Sequence, residues 1–246
     1  MSDSWGLSFG SVAQLYDRFR PPPPPALAGE LGDLNGRDVL EIGAGTGLVT
    51  RFLLECGARM TIAEPDDQMR AVLVERSPAV TALSDRAEAL ELADASFDVV
   101  VTSSAWHWFR QPDASSEIAR VLRDGGLLFV LGNGFDRSQT WLQELVNLRG
   151  TSSRPGAGRS AHEAMADLHD PFGDLQPINI PWTWTRRHEE LVQLFGTYSG
   201  VIVRSAPERE RVAQQIRSQL RDHERGLMID VPMNVRGVRA TRRHRD

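Results

Sequence analysis

The chain contains no lysine, because all 28 of its basic residues are arginine. This absence excludes Schiff-base chemistry on lysine and a P-loop nucleotide site. The single cysteine, Cys56, cannot form an intramolecular disulfide, which favours a reducing compartment. No apolar run is long enough to span a bilayer, and residues 1–20 lack a basic start followed by an apolar stretch. We therefore expect a cytoplasmic protein that has no membrane partner.

The composition is that of a globular chain with a small acidic excess. Of the 246 residues, 41% are hydrophobic and 25% charged, and the net charge is −5, which offers no overall field for holding a polyanion. Nucleic acid is therefore not an expected partner. From Arg204 onward there are 11 arginines against 6 acidic residues. We interpret this basic end as a final strand with a solvated tail rather than a polyanion contact.

Apolar runs of strand length alternate with helical patterns along the first half of the chain. The strand-like runs are DVLEI (38–42), RMTIA (59–63), 80–83, FDVVVT (97–102) and GLLFVL (126–131), and the helical patterns are 48–56, 66–75 and 113–122. This alternation predicts a doubly wound, Rossmann-like α/β fold, with a mostly parallel seven-stranded sheet, helices on both faces and an antiparallel last strand.

Outside this core the sequence suggests three further parts. Residues 1–25 hold a helix over 12–19 and the extended run Pro21–Pro25, and form a predicted lid on the core of residues 26–132. Residues 133–175 form a predicted cap insertion after the fifth strand, with a helix over 138–149, a Ser/Gly-rich loop over 151–160 and a helix over 162–168. Residues 176–246 are expected to complete the sheet, ending in a hairpin that starts at Met228.

The strongest local motif is VLEIGAGTG, residues 39–47, where a strand must turn sharply into a helix. Gly43, Gly45 and Gly47 allow the backbone to approach a ligand without a Cβ in the way. The spacing is G-x-G-x-G, with Leu48 where the dinucleotide fingerprint has its third glycine, which disfavours an NAD-dependent oxidoreductase. Glu41 at the strand end favours a cationic or zwitterionic ligand over a phosphate.

Glu64 follows the second strand, in the segment AEPDDQM. A carboxylate at this place can accept hydrogen bonds from both hydroxyls of a ribose. The alternative is a helix-capping carboxylate, a role that Asp66 can fill instead. We therefore predict that Glu64 binds a ligand.

Four motifs together resemble the class I S-adenosylmethionine-dependent methyltransferases, in their small-molecule "type 11" branch. They are VLEIGAGTG, AEPDDQM, AEALELADASFDVVV and RVLRDGGLLFVL, and the resemblance covers residues 9–132. The segment FGSVAQLYDRFRPPPP is similar to the part of this branch that folds over the cofactor, although Pro24 stands where a tyrosine is common. The resemblance implies S-adenosylmethionine as the cofactor and no metal.

The resemblance also implies cofactor-binding roles for individual residues. Glu41 and the backbone of Gly43, Ala44, Gly45 and Gly47 would hold the methionine end, and Glu64 the ribose. Apolar walls for the adenine would come from Pro65 and Met69, and its edge contacts from Ala87 and Glu88. Ser103 would lie near the sulfonium, and Tyr16 and Arg20 would close over the cofactor, although Tyr16 also fits a packing role on its helix.

The segment SSAWHWF, residues 103–109, follows the fourth strand, where acceptor and methyl donor should meet. His107 is the candidate catalytic residue, because its ordinary pKa suits a general base. The alternative is that the His107–Trp108 pair is structural. Ser104, Trp106 and Trp141 are the candidate acceptor-binding residues, although large aromatic residues often belong to the core.

Other features weigh against further classes of site. The fourth strand is followed by Ser-Ser-Ala-Trp rather than the Asn/Asp-Pro-Pro-Tyr of methyltransferases that act on DNA bases. The spacing of His162, His169 and Asp170 matches no common zinc pattern. Arg154 and Arg159 could clamp an anionic acceptor or be solvated loop residues.

The sequence thus predicts an S-adenosylmethionine-dependent methyltransferase that acts on a small molecule, with oxygen of a hydroxyl or carboxylate group as the acceptor atom. The alternatives are methyl transfer to nitrogen or carbon of a small metabolite or short peptide, and a noncatalytic cofactor-binding protein. A monomer or a homodimer is expected.

Overall fold

A computed structural model describes residues 8–150 and 171–244. Its strands are β1 (Asp38–Ile42), β2 (Arg59–Ala63), β3 (Thr81–Leu83), β4 (Phe97–Ser103), β5 (Leu122–Phe135), β6 (Phe172–Arg187) and β7 (Met228–Arg242). All seven belong to one sheet, in the order β3-β2-β1-β4-β5-β7-β6. Because β7 pairs antiparallel with both β5 and β6, the other six strands run parallel. The predicted fold class, with its antiparallel last strand, is confirmed.

Helices cover both faces of this sheet. The α-helices of the described residues are α1 (Ala13–Phe19), α2 (Leu27–Leu31), α3 (Leu48–Glu55), α4 (Asp67–Arg76), α5 (Asp113–Val121), α6 (Thr140–Leu148), α7 (His188–Gly196), α8 (Ser199–Ile202) and α9 (Ala206–Leu220). Short 3₁₀ turns span Ser8–Val12, Trp106–Trp108 and Arg221–His223.

Two apolar clusters lie on opposite faces of the sheet, because side chains alternate along each strand. Val39, Val101 and Leu131 belong to one cluster, which also includes residues of α2 and α3. Leu40 and Val130 belong to the other, with residues of α5. A third cluster packs α6, α7 and α9 against the ends of β6 and β7. The parallel strands are thus covered on both faces, as their continuous apolar sequences require.

The hairpin expected from Met228 onward is wrong, because β7 is one uninterrupted strand. Gly237, in the segment RGVR, does not form a turn. A Cβ at Gly237 would lie 2.3 Å from the carbonyl oxygen of Val130, so glycine serves the close approach of β7 to β5. Helix α2, which starts just after the proline run, is not anticipated by the sequence pattern.

Several predictions fall outside the described residues. They concern the loop over 151–160, the helix over 162–168, and the side chains of Arg154, Arg159, His162, His169 and Asp170. Across residues 8–150 and 171–244, no group of three or more His, Cys, Asp or Glu could hold a metal ion. Within the same ranges, no helix is long and apolar enough to cross a membrane.

Substituting Gly237→Ala should destabilise the protein, because the new methyl group would overlap the backbone of β5. We expect the free energy of unfolding to fall by about 1–3 kcal/mol, measured by urea denaturation. Gly134→Ala is the matched control in β5, since nothing lies within 4 Å of a Cβ built there. Equal effects of the two substitutions would contradict the close-approach explanation.

Candidate functional site

The turn between β1 and α3 is built on three glycines with positive φ. The φ angles of Gly43, Gly45 and Gly47 are 71°, 58° and 81°, a region that other residues rarely adopt. Packing adds a second constraint, because a Cβ at Gly43 would lie 2.5 Å from the Cβ of Ala105 and one at Gly47 would lie 2.8 Å from Cγ of Leu73. The predicted glycine turn is therefore demanded by the fold as well as by any ligand.

Glu64 connects this turn to the end of β2. Its side chain is buried, and its two oxygens accept hydrogen bonds from the amides of Gly45 and Asp66, both at 2.8 Å. Burial raises the pKa of Glu64, whereas these two hydrogen bonds favour the ionised form. Asp66 caps α4 by accepting from the amides of Gln68 and Met69. Asp66 is therefore the residue that caps α4, whereas the carboxylate of Glu64 contacts the glycine turn.

Glu41 is a buried carboxyl group at the end of β1. Oε2 of Glu41 accepts a hydrogen bond of 2.5 Å from the hydroxyl of Thr50. Burial, with a smaller effect of nearby Glu64, raises the pKa of Glu41 to about 8, although the hydrogen bond from Thr50 and the charge of Arg51 favour the ionised form. A carboxyl group in this state is ready to ionise when a cation arrives beside it.

A cleft opens above the glycine turn, between the sheet and the N-terminal segment. It brings together eight of the residues that the sequence analysis singled out. Those residues are Tyr16, Arg20, Glu41, Gly43, Ala44, Gly45, Ser103 and Ser104. Its remaining lining comes from Pro21, Pro23, Leu27, Thr46, Leu48, Val49, Leu131, Asn133 and Val235.

Sheet register explains why distant residues meet in this cleft. Glu41, Ser103 and Asn133 stand at the carboxyl ends of β1, β4 and β5, which are neighbouring parallel strands. Val39, Val101 and Leu131 belong to one apolar cluster and stand two residues before these three. Because side chains two residues apart point to the same face of a sheet, all three polar side chains project from the face that carries this cluster. The carboxyl edge of this sheet is where such folds bind ligands.

Side-chain contacts with the rest of the protein hold the N-terminal segment beside the cleft. Asp17 of α1 pairs with Arg51 of α3 at 2.7 Å. Arg20 donates from Nε and Nη2 to the hydroxyl and carbonyl oxygens of Thr197, at 3.0 and 2.9 Å. Asn133 donates from Nδ2 to the carbonyl oxygen of Pro22 at 2.9 Å. These contacts place the proline run against the cleft.

Asn133 and Thr46 are cleft residues that the sequence analysis missed. Oδ1 of Asn133 accepts from the indole of Trp182 at 3.2 Å, so the residue links β5, β6 and the proline run. The hydroxyl of Thr46 is buried and has no hydrogen-bond partner in the described part of the chain. The signal available for Asn133 was a polar residue two positions beyond the apolar run of β5.

The residues predicted to surround an adenine follow β2 and β3 in the chain. Met69 is buried against Ala13 and Val72, and its Cε lies 3.7 Å from a Cβ built on Gly45. Pro65 is half-buried, Ala87 is buried in the core, and Glu88 accepts from the amide of Arg110 at 2.5 Å. None of these four is among the residues that line the described cleft.

Most of the candidate catalytic and acceptor-binding residues do not line the described cleft. His107 is half-buried in the 3₁₀ turn after β4, with its ring centroid 4.7 Å from that of Trp108, and it does not line the described cleft. Trp106 is 6% exposed within the core, and its indole nitrogen has no partner among the described residues. Trp141 stacks on His223 at 4.1 Å. Of this group, only Ser104 reaches the cleft.

The charged groups of the cleft suit a zwitterionic ligand. Glu41 and Arg20 are the ionisable acid and base among the described lining residues, and Tyr16 adds an aromatic wall. Glu41 has no cationic partner within hydrogen-bond distance in the described structure, and the hydroxyl of Thr46 is unpartnered. An α-amino-acid group carries the complementary ammonium and carboxylate charges. The residues present therefore fit the methionine end of S-adenosylmethionine.

Comparison with known proteins gives an independent result. A family model described as a methyltransferase domain matches residues 40–130. An uncharacterized methyltransferase of Mycobacterium tuberculosis is 35% identical over 217 residues, which cover 88% of this chain and 87% of that protein. A malonyl-[acyl-carrier protein] O-methyltransferase of Pseudescherichia vulneris is 30% identical over 181 residues, which cover 70% of this chain and 71% of that protein.

A solved structure supports the same fold. The "Putative Type II Methyltransferase" of Anaeromyxobacter dehalogenans superposes with a TM-score of 0.70 at 24% identity, and the match covers 92% of this chain and 100% of that one. The relatives match over most of their length and the glycine turn lies inside the matched domain. The chain therefore belongs to the class I S-adenosylmethionine-dependent methyltransferases, and its cofactor is S-adenosylmethionine.

Proposed function

We propose that this enzyme methylates a small molecule at oxygen, of a hydroxyl or carboxylate group. The observation that carries the proposal is the cleft itself, whose lining includes Glu41, Arg20, Ser103 and Ser104. A cleft lined in part by Pro21 and Pro23 of the N-terminal segment suits a small acceptor better than a macromolecular surface. The O-methyltransferase named among the relatives supports oxygen as the acceptor atom.

Cofactor binding is assigned to the residues around the glycine turn. Glu41 would pair with the ammonium group, and Glu64 would exchange its bonds to backbone amides for bonds to the ribose hydroxyls. The backbone of Gly43, Ala44, Gly45 and Gly47 would follow the methionine end. Tyr16, Arg20 and Ser103 would line its path, and Pro65, Met69, Ala87 and Glu88 would surround the adenine.

The chemistry asked of the protein is mainly positioning. When bound, S-adenosylmethionine supplies an electrophilic methyl group on a sulfonium. The acceptor oxygen forms the new C–O bond as the S–C bond breaks, leaving S-adenosylhomocysteine. Holding the acceptor in line supplies much of the acceleration. Residues 8–25 would serve as the lid that excludes water, because Asp17, Arg20 and Asn133 already fasten that segment.

Acceptor contacts are assigned to Ser104, Trp106 and Trp141, with residues 133–175 as the cap. A hydroxyl acceptor must lose a proton, and His107 would then be the general base. A carboxylate acceptor is already ionised at neutral pH, and His107 would then remain a structural partner of Trp108.

Removing the Glu64 carboxylate should weaken cofactor binding. We expect Glu64→Ala to raise the Kd for S-adenosylmethionine about ten- to a hundred-fold in a calorimetric titration, since two hydrogen bonds to a charged group are lost. Glu55→Gln, on the exposed side of α3, is the charge-matched control and should bind normally. A folded Glu64→Ala protein with unchanged Kd would remove Glu64 from the site.

The raised pKa of Glu41 predicts a pH-dependent stability of the ligand-free protein. Between the ordinary pKa of about 4.5 and the folded value of about 8, the unfolded chain ionises Glu41 but the folded chain does not. The contribution of this group is therefore complete below the lower value and is lost as pH rises, by at most about 1.4 kcal/mol per pH unit.

Glu41→Gln should flatten this decline between those two pH values, measured by urea denaturation at several pH values. Glu55→Gln should keep the wild-type slope. An identical pH profile for wild type and Glu41→Gln would show that Glu41 is already ionised in the folded protein.

Methyl transfer from labelled S-adenosylmethionine to hydroxy and carboxylic acid acceptors should yield methyl ethers or methyl esters. Base treatment distinguishes them, because esters release labelled methanol and ethers do not. For an ether product His107→Ala should lower kcat about 10²–10⁴-fold, and for an ester product kcat should be unchanged. Label found on nitrogen or carbon would overturn the oxygen assignment, and cofactor binding without transfer to any acceptor class would favour a noncatalytic protein.

A further inference from the structure

Arg51 of α3 connects the glycine turn to the N-terminal helix α1 through a single side chain. Its Nη1 donates to the carbonyl oxygen of Thr46 at 3.0 Å, and its Nη2 donates to Oδ1 of Asp17 at 2.7 Å. Thr46 lies inside the turn, whereas Asp17 lies on α1. Because a guanidinium group is planar and rigid, these two bonds hold the turn and α1 in one relative position.

The carbonyl of Thr46 belongs to a peptide unit that is held from both sides. The other half of this planar unit, the amide of Gly47, donates to the carbonyl oxygen of Ala44 at 3.0 Å. Thr46 also lines the cleft, and its buried hydroxyl has no hydrogen-bond partner among the described residues. Arg51 therefore helps to set the position of a cleft residue, although Arg51 itself does not line the described cleft.

Asp17 connects two helices of the core. Besides its pair with Arg51 of α3, its Oδ2 lies 3.6 Å from Nε of Arg76, at the end of α4. Helices α3 and α4 follow the turns after β1 and β2, which Glu64 joins. The side chain of Asp17 is only 12% exposed, so water screens its attraction to Arg51 less than it screens an exposed pair.

Helix α1 depends on such contacts for its position. It has seven residues, a length at which an isolated helix is marginal in water. Val12 precedes it and has no polar side chain that could cap its first amides. Against α4 it packs through one small apolar cluster, made of Ala13, Tyr16, Met69 and Val72. Loss of the pair between Asp17 and Arg51 should therefore loosen α1, and with it Tyr16, which lines the cleft.

We propose that Asp17 and Arg51 are positioning residues that couple the closure of α1 to the shape of the glycine turn. When Thr46 takes its place in the turn, Arg51 is oriented to pair with Asp17, and α1 closes beside the cleft. A cofactor that orders the turn thereby favours closure, and closure in turn slows the release of the cofactor. The inference rests on the lid role proposed for residues 8–25 and is independent of the acceptor atom.

Binding kinetics of the full chain test the coupling. Asp17→Asn should raise the Kd for S-adenosylmethionine about five- to fifty-fold, as expected for two linked equilibria, and most of the increase should appear in the dissociation rate of the labelled cofactor. Asp17→Glu keeps the charge and should restore part of the affinity.

Glu189→Gln is the matched control, because it removes the carboxylate of another pair between two helices. Glu189 of α7 pairs with Arg217 of α9 at 2.8 Å, and neither residue lines the described cleft. Since this pair is exposed, the Kd for S-adenosylmethionine should stay within about two-fold of the wild-type value.

A double-mutant cycle shows whether the two residues act as one unit. Arg51→Gln removes both bonds of the guanidinium and should raise the Kd for S-adenosylmethionine at least as much as Asp17→Asn does. Adding Asp17→Asn to Arg51→Gln should change this Kd by less than about two-fold, because the bond that transmits the effect is already absent. Effects that multiply in the double variant would overturn the coupling.

Two further measurements separate this role from ordinary stabilisation of the fold. Urea denaturation reports the free energy of unfolding, and amide hydrogen exchange reports the opening of α1. S-adenosylhomocysteine should slow exchange in residues 13–19 of the wild-type protein, and Asp17→Asn should reduce this protection. A lower free energy of unfolding with an unchanged Kd, dissociation rate and protection would overturn the proposal.

The outcomes also separate this proposal from the proposed function. If S-adenosylhomocysteine gives residues 13–19 of the wild-type protein no protection, the lid role and the coupling both fail. Label found on nitrogen or carbon in the methyl-transfer assay would overturn the oxygen assignment alone, since none of the binding experiments includes an acceptor.

Discussion

The hydrogen bonds from the amides of Gly45 and Asp66 to the two oxygens of Glu64 join the turn after β1 to the turn after β2. The glycine turn and the start of α4 meet at this junction. It joins glycines of positive φ to Asp66, the residue that caps α4, and places a buried carboxylate at the carboxyl edge of the sheet. The same carboxylate that shapes the ligand-free turn is thus available to a ligand with hydroxyl groups.

Burial sets the chemistry of the cleft. Glu41 is buried at the end of β1, so its pKa is raised, and a cation beside it would favour its ionised form. The cover comes from the N-terminal segment, which Asp17, Arg20 and Asn133 fasten to three separate elements. Without lysine in the chain, every cation that helps a ligand in this cleft is an arginine, and arginine brings planar, directed donors.

Much of this fold could be predicted from the sequence, for a physical reason. The bounds of β1 and β2 agree with the sequence pattern, because buried parallel strands are short apolar runs that end at turn residues. The same reasoning failed at β7, where Gly237 resembles a turn but allows close packing on Val130. Asn133 escaped notice because its partners, Pro22 and Trp182, are distant in sequence.

The sequence by itself determined the family, the parallel sheet, and a glycine turn flanked by Glu41 and Glu64, since each depends on local residue types and spacing. Only the tertiary structure decided which of the remaining residues meet. It drew Arg20 toward Thr197, set Arg149 over Tyr198, and left His107 out of the lining of the described cleft. Such contacts depend on how helices from both ends of the chain dock on the sheet, and no local pattern encodes that docking.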